Sequence, residues 1–506
     1  MEPQVGDPYG RDMSSKRDVR IAVVGTGFSG LAAAISLKKA GFRTLTIFER
    51  SSRVGGVWNA NEYPGCACDV ASSLYSFSFE PNPNWSRPFA PQPEIRAYLE
   101  HCLRKYDLAS NVLFNTEVTA ADFDQTRAVW TLTTASGETN EFDVVIAACG
   151  QLTQPSYPNV AGIDSFEGTA FHSAQWNHDH DLSGERVAVI GNGASAVQIV
   201  PSIAPKVREL VVFQRSNEYI VPKPDYQHPE WEKAIYRYVP GALKALRFAW
   251  WTFGEYGNPG FTLPTGRFHN AYFAPVLGLV NWQLRKQVRD PELRRKLTPD
   301  YKIGCKRILL SSTYYPAITG KNARVVTEQI TGISPNGIVT ADGVKHEVDT
   351  IVYATGFKTR GFVAPMKVRG VEGQDLNEFW ADGPQAYLGM SVPKFPNFFV
   401  MYGPNTNFGG GSIVYVLESQ ARYIVDGVRN LRDSGAAYID LKPEVFARFS
   451  TEMQRRLRKS VWAAGGCTSW YKNAKGVVTN NWAGTMLEYR FRTRRMNLDN
   501  YKVVAR

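Results

Sequence analysis

Cysteine is scarce in this chain: six residues in 506, with no pair at the two-residue spacing of a redox or metal-knuckle motif. Cys66, Cys68, Cys102, Cys149, Cys305 and Cys467 lie scattered, so a reduced, cytoplasmic setting is expected rather than a disulfide framework. Histidine is scarce too. Only His178 and His180, in "HDH", lie close together, and no Cys or carboxylate set at ligand spacing accompanies them, so a polar loop and no metal are expected. No apolar run approaches the roughly 18 residues that a spanning helix needs. The opening "MEPQVGDPYGRDMSSKR" lacks an apolar stretch and is expected to be a disordered lead-in rather than a signal peptide. Nor is charge segregated. The net charge is +11, yet bases alternate with acids, and the densest cluster, "EYRFRTRR" at 488–495, is short. Such a charge could suit nucleic acid or anionic lipid, but this scatter favours a solvated face or a cofactor-phosphate contact.

What is present is globular: 43% apolar and 21% charged residues, enough for two domains at this length, and 12% aromatic residues that suit a lined cavity. The strongest local signal is "VRIAVVGTGFSGLAAAISLKKAGFRTLTIFER" (19–50). It reads as a β-branched strand, Gly25-x-Gly27-x-x-Gly30, an alanine-rich helix and a second strand ending at Glu49. In such a unit the first glycine turns the chain and the second lets backbone approach a pyrophosphate. The third lets helix pack on strand, and the acid accepts from a ribose 2′-hydroxyl. The pattern recurs at 186–216 with Gly191, Gly193 and Ala196, but its second strand ends in Gln214-Arg215-Ser216. A guanidinium in place of a carboxylate suits a 2′-phosphate, so this unit is expected to bind NADPH. The first unit then holds the electron acceptor, most simply FAD.

Two further apolar strands end in glycine, at 142–151 and 348–357, each after hairpin-like alternation. "FPNFFVMYGPNT" (395–406) reads as a strand returning to the first unit. The expected fold is α/β, with two Rossmann-like three-layer dinucleotide-binding domains, the FAD domain being discontinuous. Residues 1–154 form its first part, 155–387 the NADP domain, and 388–506 its second part. A helical insertion at about 222–299 is expected to shape access to the site. Within it, "ALKALRFAWW" (242–251) and "AYFAPVLGLVNW" (271–282) could touch a membrane surface, but burial is the commoner outcome for such segments.

Beyond these loops the sequence resembles the flavoprotein monooxygenases with two dinucleotide sites, and within them the Baeyer–Villiger monooxygenases, over nearly its whole length. The family fingerprint F-x-G-x-x-x-H-x-x-x-W is supplied by Phe166, Gly168, His172 and Trp176, although Asn177 follows where Pro or Asp is usual. The pattern G-G-x-W-x(4)-[FY]-P-G-x(3)-D is met in full by "GGVWNANEYPGCACD" (55–69), which contains Gly56, Trp58 and Asp69. "GCKRILLSSTYY" (304–315) resembles the family's Lys-Arg segment. Related enzymes that oxygenate nitrogen or sulfur share the glycine loops but carry Phe or Tyr in place of Trp176 and lack the Tyr-Pro-Gly…Asp element.

The resemblance implies an enzyme that uses FAD, NADPH and O2 to convert a small-molecule ketone into an ester or lactone through a C4a-peroxyflavin. Attack on a ketone requires the peroxide as an anion, and an anion beside an apolar ring needs a fixed cation. The resemblance gives that place to Arg307, with Asp69 beside it to orient the guanidinium; the plainer alternatives are a surface arginine and a helix N-cap. Lys306 is implied to join Arg215 at the 2′-phosphate, neighbours on a strand pointing to opposite faces. Trp58, Tyr75 and Trp470 are implied to line the flavin and nicotinamide region, and Gln151 to approach the cofactor. The glycines of "NTNFGGGSIVY" (405–415) are expected to admit the FAD ring or its ribityl chain. His172 and Trp176 are expected to fix the linker between domains and couple NADPH movement to the flavin, with no role as a base. Rival readings are a nitrogen or sulfur oxygenase, a disulfide reductase for which "CAC" has the wrong spacing, and a non-catalytic dinucleotide sensor. Monomer and homo-oligomer both remain open, as does the ketone.

Overall fold

A computed structural model describes residues 18–359 and 361–506; the expected N-terminal lead-in lies outside the described residues. Two parallel five-stranded sheets organise it. The first runs Phe398–Val400, Val144–Ala147, Ile21–Val24, Leu45–Phe48, Val112–Leu113. The second runs Ala323–Val326, Glu209–Phe213, Arg186–Ile190, Thr350–Tyr353, Thr169–His172. In each sheet the strand before the glycine loop is central, and the loop leaves from its carboxyl end.

Side-chain alternation explains the three layers. Ile21 and Val23 face the buried helix Phe28–Lys39, while Ala22 joins Phe48, Val145 and Trp130 under an antiparallel meander of Val118–Asp124, Val129–Thr134 and Thr139–Phe142. In the second sheet Val187 and Val189 face the helix Ala196–Ile203. Ala188 and Ile190 pack with Ile333 and Ile338 of the meander Ile330–Ser334, Gly337–Thr340 and Lys345–Glu347. Strands buried on both faces read as continuous apolar runs, which is why both were visible in the sequence. The late strand Phe398–Val400 returns to the first sheet as expected, and the helix Ile413–Ser434 packs on Phe28–Lys39.

Three features differ from expectation. The fingerprint segment is no mere connection: Thr169–His172 is the edge strand of the second sheet, paired in parallel with Thr350–Tyr353. The insertion is helical, with Glu230–Tyr238, Ala242–Thr262, Arg267–Gln287 and Pro291–Leu297, yet much of its apolar surface is exposed rather than buried. Cys305 and Cys467 form a disulfide across 162 residues, Cα atoms 6.1 Å apart, against the expectation of free thiols. The basic cluster at 488–495 takes the solvated alternative, with Arg494 and Arg495 exposed. Glu488 bonds Arg456 at 2.6 Å, and Arg492 bonds Glu452 at 2.6 Å, an ion-pair network between helices.

Among the described residues no helix is long and apolar enough to cross a membrane.

Candidate active site

Each glycine loop has the shape its chemistry requires. Gly25 turns with φ +109°, and a Cβ on Gly30 would stand 1.8 Å from the Gly25 carbonyl oxygen, so only glycine lets helix Phe28–Lys39 sit against the strand. In the second loop Gly191 turns with φ +117°, and Ala196 is fully buried. A Cβ on Gly193 would meet nothing within 4 Å, so protein packing does not explain that glycine, whereas a ligand pressed against the backbone does. Glu49 is buried at the end of the second strand, where its carboxylate accepts from the N–H groups of Thr26 at 3.0 Å and Ser51 at 2.9 Å. Both loops therefore fit dinucleotides.

Arg215, opposite in role to Glu49, is exposed with no ion pair among the described residues. Beside it Lys306 Nζ donates to Ser216 Oγ at 2.7 Å and to Glu218 at 2.9 Å, over the Tyr301 ring. Burial pushes the Glu218 carboxyl up, and Lys306 offsets only part of that rise. Two groups able to hold a phosphate, Ser216 and Lys306, thus meet next to Arg215 in the chain, with one carboxylate that holds the lysine in place.

The element 55–69 runs from one loop to the other. Gly56, with φ +56°, lies against Gly27 of the first loop. Further on, Gln198 of the second loop's helix accepts from Ala67 N–H and donates to Ala67 carbonyl, both at 3.1 Å. A Cβ on Gly65 would stand 2.7 Å from the Gln198 carbonyl oxygen, which explains the glycine of the Tyr-Pro-Gly run. Asp69 closes this element. Its N-cap alternative fails because turns, not a helix, follow it. Instead its carboxylate accepts a two-pronged bond from Arg307, Nε and Nη2 each at 2.6 Å.

Lys306 and Arg307 precede the two-residue strand Leu309–Leu310 instead of lying in it, yet they diverge as expected, one to Ser216 and the other to Asp69. Arg307 keeps 44% of its side chain open to the cleft, which rules out a core role, while its fork to Asp69 rules out an idle surface one. The carboxylate raises the guanidinium pKa further above its ordinary value. Burial pushes the Asp69 carboxyl up, but the charge and bonds of Arg307 outweigh it and hold the group below the usual carboxylate range.

Two tyrosines that sequence reasoning missed flank the pair. Tyr402 and Tyr471 both sense the Arg307 charge, and burial pushes the Tyr471 phenol up to about 12, so it is neutral at working pH. Tyr402 holds φ +57°, rare for an aromatic residue, and its carbonyl accepts from Gln151 Nε2 at 2.8 Å. Asn407 bonds both Gln151 and the Tyr402 hydroxyl, tying the end of one strand to the next. The only sequence signal for Tyr402 was its place before the Gly-Pro turn.

Trp58 Nε1 donates to the Tyr75 hydroxyl at 3.1 Å, next to Phe28 of the first loop's helix. Trp470 stands apart, 39% exposed and touching Tyr471 at 4.6 Å between rings. The glycines at 409–411 have a different cause from the one expected. Cβ atoms on Gly409 and Gly410 would meet Phe261 and Gly254 of the insertion helix, and one on Gly411 would meet Met486, so protein packing accounts for these glycines. His172 is fully buried, with Nε2 donating to the Gly356 carbonyl at 3.0 Å and Nδ1 accepting from Ala174 N–H at 3.1 Å. Burial holds its pKa below the ordinary histidine value. Trp176 packs on Phe171, and a Cβ on Gly168 would meet the Asp349 carbonyl oxygen at 2.4 Å and the Phe166 ring.

A family profile described as flavin-binding monooxygenase-like matches residues 18–235. The chain is 44% identical over 498 residues to a Baeyer–Villiger monooxygenase of Pseudomonas aeruginosa, covering 97% of this chain and 93% of that one. It is 43% identical over 487 residues to a Baeyer–Villiger monooxygenase of Streptomyces coelicolor, covering 96% and 93%. Among solved structures, an oxidised steroid monooxygenase bound to NADP matches with TM-score 0.83 at 32% identity, over 96% of this chain and 99% of that chain. A cyclohexanone monooxygenase from Rhodococcus sp. Phi1 bound to NADP+ matches with TM-score 0.85 at 26% identity, over 97% and 100%.

Proposed function

This chain belongs to the family of Baeyer–Villiger monooxygenases, and from that premise we propose that it uses FAD, NADPH and O2 to insert one oxygen atom beside a ketone carbonyl, giving an ester or lactone. The observation that carries this reading is the Arg307–Asp69 fork at the end of the element that bridges the two glycine loops.

When bound, FAD accepts hydride from NADPH and activates O2. The chain's own residues do the rest. Gly25, Gly27, Gly30, Glu49 and Gly56 cradle FAD, with Trp58, Tyr75 and Gln151 at its edge. Gly191, Gly193 and Ala196 admit the NADPH pyrophosphate, and Arg215, Ser216 and Lys306 take its 2′-phosphate. Arg307 supplies a positive charge that no working pH removes, so it stabilises an oxygen anion without surrendering a proton to it. Its Nε and Nη2 engage Asp69, which leaves Nη1 for the reacting oxygen. Asp69 fixes the guanidinium plane and limits its net charge, so that nicotinamide and oxygen species can use one site in turn. Phe166, Gly168, His172 and Trp176 keep the second sheet's edge in register, the neutral imidazole serving as a structural crosslink. Trp470 forms part of the outer rim.

The domain division belongs to the same reading: 1–154 and 388–506 for FAD, 155–387 for NADP with the insertion at about 222–299. So do a cytoplasmic location, where NADPH is supplied, and a small-molecule ketone as substrate.

The test is product analysis under NADPH and air with cyclic, linear and aryl ketones beside a thioether. Ester or lactone from at least one ketone is expected. Sulfoxide alone would move the enzyme to nitrogen and sulfur oxygenation.

A further inference from the structure

Two helices of the insertion turn apolar stripes toward water. Along Arg267–Gln287, Phe268, Ala271, Pro275, Leu279 and Trp282 recur at helical spacing, all exposed, Phe268 to 77% and Trp282 to 53%. Along Ala242–Thr262 the outward residues include Phe248, Phe253 and Tyr256, the last two exposed to 74%. The Tyr272 hydroxyl donates to the Tyr256 carbonyl and joins the two stripes into one face.

These side chains have no inward alternative. The opposite side of Ala242–Thr262 is already committed: Gly254 lies against Gly411, Asn258 accepts from Gly410 N–H at 2.9 Å, and Phe261 fills the space beside Gly304 and Gly409. Aromatic surface of this extent, left in water, marks a partner.

Charge identifies the partner. Cations stand at the margins of the face, at Lys244, Arg267, Arg285, Lys286 and Arg289, with Lys286 Nζ 4.8 Å above the Trp282 ring. Between residues 244 and 289 the only acid is Glu255, and its carboxylate is occupied by the N–H groups of Met486 and Leu487. An apolar face bordered by cations that make no ion pair among the described residues complements an anionic phospholipid surface. A second copy would oppose the same cationic margin to itself.

We infer that this face docks on anionic membrane surfaces, the two helices lying in the interface plane with their aromatic side chains at the headgroup boundary and their cations on lipid phosphates. A consequence that rests on the proposed function is delivery of apolar ketones. The buried ends of the same helices pack on Ile303 and Gly304, which lead in the chain to Arg307.

The FAD-loaded full chain is sedimented with vesicles of phosphatidylcholine alone or of roughly equal parts phosphatidylcholine and phosphatidylglycerol, without ketone. Binding to the anionic vesicles is expected, falling about tenfold or more in high salt and on neutral vesicles. A Phe253→Ser/Phe268→Ser/Trp282→Ser variant and, separately, Arg285→Ser/Lys286→Ser/Arg289→Ser should each lose about tenfold in vesicle affinity while retaining FAD and NADPH oxidation in solution. If the aromatic variant fails to fold, the charge variant decides. Wild type that stays in the supernatant with every vesicle, or variants that bind as wild type does, would overturn the inference. So would light scattering that finds a dimer which the substitutions dissolve. Because the readout is sedimentation, its failure leaves ketone oxygenation standing, and loss of oxygenation leaves docking standing.

Discussion

At Arg215 the proposed grip on a 2′-phosphate makes a prediction about coenzyme preference. Its guanidinium is exposed beside Ser216 and the tethered Lys306, and charge-assisted bonds to a phosphate contribute about 1.5–3 kcal/mol each. Arg215→Ala should raise KM for NADPH by about 10- to 100-fold and leave KM for NADH within a few-fold. Equal losses for the two coenzymes would remove the residue from phosphate recognition. Asp69 makes a prediction about pH. Its folded pKa is depressed, so the pair's contribution is complete above the ordinary carboxylate value of about 4 and is lost only as pH falls through the folded value. Ester formation should therefore show no acidic limb from this pair between about pH 5 and pH 8. A limb in that range that vanishes in Asp69→Asn would contradict the assignment. At this scale the sequence was informative where a motif names partners, as for Arg307 and Asp69, which the structure brings together. It was silent on Tyr402, Tyr471 and Gln198, which earn their places by contacts between segments far apart in the chain.

The element that runs from Gly56 to Asp69 is the structural hinge of the account. It leans on the first loop at Gly27, docks through Ala67 on Gln198 of the second, and ends on Arg307. Gly65→Ala places a Cβ 2.7 Å from a backbone oxygen at φ +80°, so helix and element must separate. The variant should lose about 2 kcal/mol of stability and waste more NADPH per ester formed, measured by thermal unfolding and by product per NADPH. Unchanged coupling would reduce the contact to packing. Elements with a strong period, such as the two glycine-loop units, were legible because both faces of each strand are buried. The fingerprint strand Thr169–His172 was not, since an edge strand of four residues has no period to display. The glycines at 409–411 misled for a related reason: a glycine demanded by a neighbouring helix looks, in sequence, like one demanded by a ligand.

For the molecule as a whole, the buried disulfide between Cys305 and Cys467 ties the Lys306–Arg307 segment to the stretch that carries Tyr471. No spacing rule could have revealed it. Closing so long a loop stabilises by about 2–4 kcal/mol. Reductant should lower the unfolding temperature of the wild type, and a Cys305→Ala/Cys467→Ala variant should start from the lower value and ignore reductant. A variant that still responds would mean the two thiols are not joined.

The central claim is that Arg307, held by Asp69, enables this enzyme to transfer one oxygen atom from O2 to a ketone. The most direct measurement uses 18O2, NADPH and an accepted ketone with wild type and Arg307→Ala side by side. Wild type should yield ester carrying a single 18O atom, and Arg307→Ala should bind FAD and oxidise NADPH but form no ester. Unlabelled ester from the wild type, or labelled ester from Arg307→Ala at the wild-type rate, would contradict it.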